Sequence, residues 1–300
     1  MGNIKSGFIA IVGRPNVGKS TLLNEIIGQK ISIVSSKAQT TRNNIRGIKT
    51  DESSQLIFVD TPGIHTSKNQ IDKFMNSSAL RSMKDVDVII FMAPADETIG
   101  KNDLFILKEL EKKEVPKILV ISKSDSVTKE KLFLKANEWA EFGKIFDEVL
   151  ITSSIKNINI DLLIEMIKKY LPENGFLFYD AETITDQPTR FSIREIIREN
   201  ILFKTGQEVP HSVAILVDEI EEDEEHVNIV ASIIVERKSQ KGIIIGHQGK
   251  KISDIRYKSK KQIQELYDKE VTLELFVKVK ENWRSSASLI KRLGYDKDKY

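Results

Sequence analysis

The 300-residue chain contains no cysteine. That absence excludes disulfides, thiolate catalysis and cysteine-ligated zinc or iron–sulfur centres. No apolar run is long enough to span a bilayer; the most apolar stretch, residues 86–95, is broken by Asp87 and Pro94. Charge of one sign is not in excess either. There are 46 basic and 44 acidic residues, for a formal net charge of +2. A protein basic throughout is thereby excluded, but a local basic face is not. His65, His211, His226 and His247 are scattered, with no ligand-like spacing, so none is assigned to metal or acid–base chemistry. The first residues lack the apolar core of a signal peptide, and no internal repeat is visible. Met1–Ser6 fits the short myristoylation pattern, but it leads directly into a strand-like run, which favours a chance match.

What is present is enough to build a core. Hydrophobic residues make up 40% and charged residues 30%, and the length suggests about two domains. In the first half, short runs rich in Ile and Val alternate with helix-period segments. The runs begin near Phe8, Gln55, Val86, Lys117 and Val149. Such alternation predicts an α/β fold, mainly a parallel sheet with helices on both faces, and places ligands at the carboxyl ends of the strands. A turn-rich stretch, residues 173–188, reads as a linker between a first domain, 1–172, and a second, 189–300. The second half reads as an α+β domain with three antiparallel strands, over 212–219, 227–236 and 271–280. The acidic run 219–225 reads as a solvated hairpin tip.

Gly13-Arg14-Pro15-Asn16-Val17-Gly18-Lys19-Ser20 matches the phosphate-loop pattern G-x-x-x-x-G-K-[ST]. It follows a buried-looking strand and opens a helix, as the chemistry demands. Glycines let successive amides, from Asn16 to Thr21, turn toward phosphates, and the helix N-terminus adds a field favourable to negative charge. Lys19 reaches the outer phosphates, and the Ser20 hydroxyl can ligate Mg2+. Without a ligand the same run is only a glycine-rich turn. Asp60-Thr61-Pro62-Gly63 follows the second apolar run; Asp60 can hold Mg2+ through a water, and the Gly63 amide can sense the terminal phosphate. Thr40-Thr41-Arg42 lies in the polar loop between. Thr41 is the better candidate to complete the metal shell when that phosphate is present.

Ser122-Lys123-Ser124-Asp125 follows the fourth run. A carboxylate at Asp125 can accept from both the ring N–H and the exocyclic amine of guanine, which adenine cannot supply. The stem of Lys123 can lie along the base, while Ser153 and Ser154 would offer backbone amides to the guanine carbonyl. The alternative for Ser122–Asp125 is an ordinary turn or cap. In the second half, Gly246-His247-Gln248-Gly249 precedes a segment crowded with Lys250, Lys251, Arg256, Lys258, Lys260 and Lys261. A GxxG turn brings backbone close to a single-stranded nucleic acid, and the cations follow its phosphates. The bland alternative is a packing turn with a solvated lysine face.

Together these motifs, with residues 192–210, 277–284 and Leu293-Gly294-Tyr295, resemble the Era family of bacterial GTPases over essentially the whole length. The resemblance implies a Ras-like P-loop GTPase domain followed by a type II KH domain. It implies slow GTP hydrolysis with Mg2+, and KH binding to the 3′ end of small-subunit ribosomal RNA during assembly of the small ribosomal subunit. It also implies a monomer in the cytoplasm that can associate peripherally with the inner face of the cell membrane. The catalytic set it implies is Lys19, Thr41, Gly63 and Asn16, and Asn16 suggests stimulation by K+. Two departures stand out. The base-reading element begins with Ser122 where the family has Asn, so a bracing amide is expected to be lost. Ile64 stands where Ras-like enzymes use a water-orienting glutamine, so another group must position the water. The competing reading is an RNA-binding factor with an inactive nucleotide domain; another is a GTPase acting at the membrane surface.

Overall fold

The computed structural model describes residues 4–35, 37, 39–206, 209–210 and 212–295. Met1, Gly2 and Asn3 of the myristoylation pattern, and His211, lie outside the described residues.

The first half folds around a six-stranded sheet, with strands β1 (Lys5–Val12), β2 (Ile45–Thr50), β3 (Ser54–Asp60), β4 (Val88–Pro94), β5 (Lys117–Ser122) and β6 (Glu148–Ile151). The spatial order is β2-β3-β1-β4-β5-β6. All neighbours are parallel except β2 and β3. The helices are α1 (Lys19–Ile27), α2 (Gln70–Arg81), α3 (Lys101–Leu110), α4 (Lys129–Ala140) and α5 (Ile160–Tyr170). Both sheet faces are covered, and strand alternation decides which side chain goes where. Ile9 and Ile11 of β1 join α1 and α5 in one apolar cluster, while Ala10 and Val12 join α3 in the other. After β1 the chain goes first to β2 and β3 on one side, then to β4 on the other. The carboxyl end of β1 is therefore a topological switch point, and the phosphate loop leaves from it.

Strand β2 was not expected from the sequence. Its sequence, IRGIKT, places Gly47 and two cations among its apolar positions, so no clean alternation marks it. Pairing with β3 creates it.

The second half contains α6 (Thr189–Lys204), β7 (Ala214–Glu222), β8 (His226–Val235), α7 (Lys238–Ile245), α8 (Lys250–Tyr267), β9 (Glu270–Val279) and α9 (Ala287–Arg292). Its sheet runs β7-β8-β9. Strands β7 and β8 form an antiparallel hairpin, with the acidic run at its tip, but β8 and β9 are parallel. The expectation of three antiparallel strands is thus corrected. The α7–α8 crossover is long enough to return the chain to the starting end of the sheet, as a parallel pair requires. Ile193, Ile197 and Ile201 recur at helical spacing on α6 and pack with Ile215, Ile229 and Ile233 from the sheet.

Residues 173–186 do not hang free. Gln55 of β3 accepts from the amides of Phe178 and Tyr179 at 2.8 and 3.0 Å. The Ile48 amide donates to Ile184, and Arg46 pairs with Asp186 at 2.6 Å. The connection is a strap along β2 and β3.

Candidate nucleotide site and nucleic-acid interface

Residues 15–21, together with Thr40, Thr41, Gly63, Ser122, Lys123, Asp125 and Ser154, line one cavity of about 430 Å³ at the carboxyl ends of the strands. Gly13, Arg14, Asp60, Thr61, Pro62, Ser124 and Ser153 are not in its wall. Several of them support it from behind. The Thr61 hydroxyl donates to the Ile11 carbonyl at 2.8 Å, the Ile64 amide donates to Gly13, and the Ser124 amide donates to Thr152. Gly63 lies against the phosphate loop so closely that a Cβ would come within 2.4 Å of the Pro15 nitrogen.

Lys19 is buried, and its Nζ donates to the Gly13 and Arg14 carbonyls at 3.1 and 2.8 Å. Burial lowers its pKa to about 8, against the pull of Asp60. A bound polyphosphate would supply the missing counter-charge. Arg14 turns away, pairing with Glu97 at 3.0 Å and Asp103 at 3.2 Å.

Of the two threonines, Thr41 is the one beside the metal position. Its Oγ1 lies 2.9 Å from Ser20 Oγ, which donates to Asp60 Oδ2 at 2.7 Å. The Thr40 hydroxyl turns back to the Lys37 carbonyl. Ser32, which sequence reasoning missed, also donates to Asp60 Oδ2, at 3.0 Å. Asp60 Oδ1 is buried without a hydrogen-bond partner. Burial raises the Asp60 pKa, opposed by Lys19. Two hydroxyls and a carboxylate with an unsatisfied oxygen are the hard donor set that Mg2+ takes, so these residues fit the ion.

On the guanine side, two sequence expectations are corrected. The Ser122 hydroxyl donates to the Val17 carbonyl at 2.7 Å. A brace between the base-reading element and the phosphate loop is therefore kept, by a shorter side chain. Ser153 does not offer its backbone amide, because that N–H bonds to Ile158 across a small bridge. Its hydroxyl instead donates to Asp125 Oδ1. The carboxylate is thus held in place from behind, and Ser154 remains in the cavity wall. Lys123 has φ 57° and places its ammonium 3.6 Å from Asp96.

Gly246, His247, Gln248 and Gly249 form the turn between α7 and α8. Gly246, Gln248 and Gly249 all have positive φ, and a Cβ on Gly246 would strike Lys251 at 2.7 Å. His247, Gln248, Lys250 and Arg256 are exposed, and Lys251 is half-buried. Tyr257, 69% exposed on α8, adds an aromatic face beside the cations, a stacking surface that sequence reasoning missed.

The two halves meet at the metal loop. Arg42 is buried and donates to the Val213 carbonyl at 2.6 Å and the Pro210 carbonyl at 2.9 Å. Its guanidinium lies over the Trp283 and Tyr295 rings. Arg198 of α6 donates to the Thr40 carbonyl and pairs with Glu195. Ile71, Phe74 and Met75 of α2 pack against Trp283, Ile290, Leu293 and Tyr295. Thr41 is therefore flanked on both sides by residues gripped from the second half. Neither Arg14 nor Arg42 is directed at the cavity.

A phosphate loop, a metal corner and a guanine-reading carboxylate on a sheet of this order define a P-loop GTPase. The α-β-β-α-α-β unit with its GxxG turn defines a KH domain. Family models agree: one described as 50S ribosome-binding GTPase matches residues 8–123, and a KH domain model matches residues 208–284. A solved structure of Era in complex with MgGDPNP and nucleotides 1506–1542 of 16S ribosomal RNA is 37% identical, with TM-score 0.93, over 97% of this chain and 99% of that one. A variant of Aquifex aeolicus Era bound to GDP and aluminium fluoride is 36% identical, with the same coverage and TM-score 0.93. The chain belongs to the Era family of GTPases.

Proposed function

We propose that this protein is a GTP-driven switch that binds the 3′ end of small-subunit ribosomal RNA through its KH domain and acts in assembly of the small ribosomal subunit. The observation that carries this reading is the placement of Thr41. It stands at the metal corner while Thr40 and Arg42 are held by the RNA-binding half. A state change at the terminal phosphate must therefore be felt by the KH domain.

Ser20, Thr41 and, through a water, Asp60 would hold Mg2+, which would neutralise charge on the phosphates. Water attacks the terminal phosphorus in line with the bridging oxygen. Lys19 and the amides of residues 16–21 stabilise the charge that moves onto the oxygens, and the Gly63 amide fixes the phosphate. Among the described residues no arginine lines the cavity, so unassisted turnover is expected to be slow; such arginines contribute about 10³–10⁵ in rate. Asn16 lines the cavity; K+ stimulation through it rests on the family resemblance, and faster turnover in K+ than in Na+ is the matching expectation. A monomeric state, cytoplasmic location and peripheral membrane attachment are part of the same proposal and rest on the family resemblance. Among the described residues no helix is long and apolar enough to cross a membrane, and binding to anionic vesicles tests the attachment.

The test is RNA crosslinking in cells with sequencing of the bound fragments. Fragments from the 3′ end of the small-subunit RNA are expected. Enrichment of large-subunit RNA, or of none, would sink the proposal. Affinity for the purified single strand should fall with a log–log salt slope of about −0.7 per neutralised phosphate. The alternative of an inactive nucleotide domain is disfavoured by the Ser122 brace and the assembled metal corner.

A further inference from the structure

A second cavity, of about 620 Å³, lies between the two halves, apart from the nucleotide cavity and the GxxG turn. Lys68 and Asn69, just before α2, line it from the first half. Arg237 and Lys238 at the start of α7, with Glu281 and Arg284 just past β9, line it from the second. Every residue in its wall is polar or charged.

The wall is net positive. Four cations face two carboxylates, and one carboxylate is already taken: Arg284 donates to Glu236 Oε2 from Nε at 3.0 Å and from Nη2 at 2.5 Å. Among the described residues Lys68, Arg237 and Lys238 form no ion pair, and Glu281 alone opposes them. Three unneutralised cations converging from two halves on one polar cleft make a site for an anion. A wall without apolar side chains gives the apolar face of a peptide helix nothing to pack on.

Both sides of the cleft are anchored. On the first, Asn69 Oδ1 accepts from the Asp72 amide at 3.0 Å and starts α2. Asn76 of α2 accepts from the His65 amide at 3.2 Å and donates to the His65 carbonyl at 2.6 Å, so the segment from Gly63 to Lys68 is pinned to that helix. On the second, Trp283 is buried, donates to the Ser212 carbonyl at 2.9 Å and packs with Ile71 and Phe74 of α2. The cleft therefore exists because the halves are docked. From Lys238, the eight residues of α7 run about 12 Å to the GxxG turn. Cleft and turn are the two ends of one helix.

We propose that this cleft seats backbone phosphate of the same RNA strand that lies on the GxxG turn, with Lys68 supplied by the first half and Arg237 and Lys238 by the second. The planar fork of Arg237 suits two oxygens of one phosphate, and the lysines act as point charges. Glu281 and the Asn282 side chain, also in the wall, can accept from a ribose 2′-hydroxyl, which favours RNA over DNA. Strand seated here bridges the halves and stabilises their docked arrangement. Lys68 is five residues past Gly63, so the loop that reads the terminal phosphate becomes part of the RNA site.

The inference rests on RNA binding by the KH domain, so the test separates the two. The full chain is loaded with a non-hydrolysable GTP analogue. Synthetic RNA of the small-subunit 3′ end is prepared with one backbone linkage at a time neutralised as a methylphosphonate. Lys68→Ala and Arg237→Ala should each weaken the unmodified strand by up to about fivefold and make the log–log salt slope shallower by about 0.7, with the melting temperature unchanged. Lys68→Arg, which keeps the charge, should bind as wild type does. Neutralising one linkage, or two adjacent ones, should cost affinity in the wild type but not in these two alanine variants. Lys250→Ala, beside the GxxG turn, should mask a different linkage. A wild type that binds no RNA would remove the function reading itself. If it binds, salt slopes unaltered in both alanine variants, no linkage that they mask, or the same linkage masked by Lys250→Ala would overturn the inference alone.

Discussion

The two walls of the nucleotide cavity are held by different means. The guanine wall is braced entirely within its own domain: Ser122 ties to Val17, Ser153 to Asp125, and the Ser153 amide to Ile158. The phosphate wall is braced from outside it. Thr40 is held by Arg198, Arg42 by Val213 and Pro210, and Asn43 by Gly294. Buried charge sharpens the contrast. The Arg42 guanidinium is pushed below its ordinary pKa by burial, with Tyr295 opposing. Arg198 is raised, Glu195 outweighing its burial. Such charges tolerate burial only while their partners remain. Nucleotide identity is therefore read by a self-contained structure, whereas phosphate state is read by one that needs the KH domain.

Substitutions on the two walls should separate these properties. Asp125→Ala should lower the GTP-over-ATP preference the most, by about 10⁴-fold, since a site built to pair polar groups loses its discrimination with them. Competition binding measures it, with the melting temperature unchanged. Arg42→Ala should act on the other wall. Losing charged hydrogen bonds worth about 1.5–3 kcal/mol corresponds to about 10- to 150-fold. It should appear in the hydrolysis rate and in the coupling of RNA binding to GTP, with the GTP-over-ATP preference intact. If Arg42→Ala altered that preference instead, the division between the walls would be wrong.

Two smaller effects refine it. Without nucleotide, Lys19 loses its proton above pH about 8, while phosphate binding requires the ammonium. Binding then takes up a proton, so affinity is level below that pH and falls as pH rises above it, by at most about tenfold per unit. Calorimetry in two buffers of different ionisation heat reads the uptake. Ser122→Ala should weaken GDP and GTP equally, by about 2- to 12-fold, as one neutral hydrogen bond is lost. Unequal weakening would show that the hydroxyl belongs to the phosphate wall.

The same division governs how much the sequence disclosed. Lys19, Ser20, Asp60 and Asp125 were legible because each sits at a fixed offset from a strand end, where local spacing alone carries the chemistry. Thr41 was legible from its loop. Elements created by distant pairing were not. Strand β2 exists because β3 offers it partners. The parallel β8–β9 pairing is a property of the crossover, which hydrophobic alternation does not encode. The role of Ser153 changed because a bridge to Ile158 consumed the amide expected to meet the base. The partners of Arg42 lie in the other half of the chain, where no local spacing points to them. Leu293-Gly294-Tyr295 could be recognised as familial, but its purpose shows only in the fold. A Cβ on Gly294 would lie 2.1 Å from Arg194, and Tyr295 stacks on Trp283.

The strap along β2 and β3 limits how the protein can move. Its last anchors are Thr185 and Asp186, both on Arg46, and α6 begins at Thr189. Only Gln187 and Pro188 lie between, and proline fixes one of their torsions. A swing of the RNA-binding half would have to turn about these two residues and carry α6 past Phe191, which packs in the core of the first half, and past the Lys30–Glu199 pair. Such a motion would be that of a crank on a short axle rather than a weight on a tether, and a slight rotation released at Arg42 would sweep the GxxG turn through a defined arc.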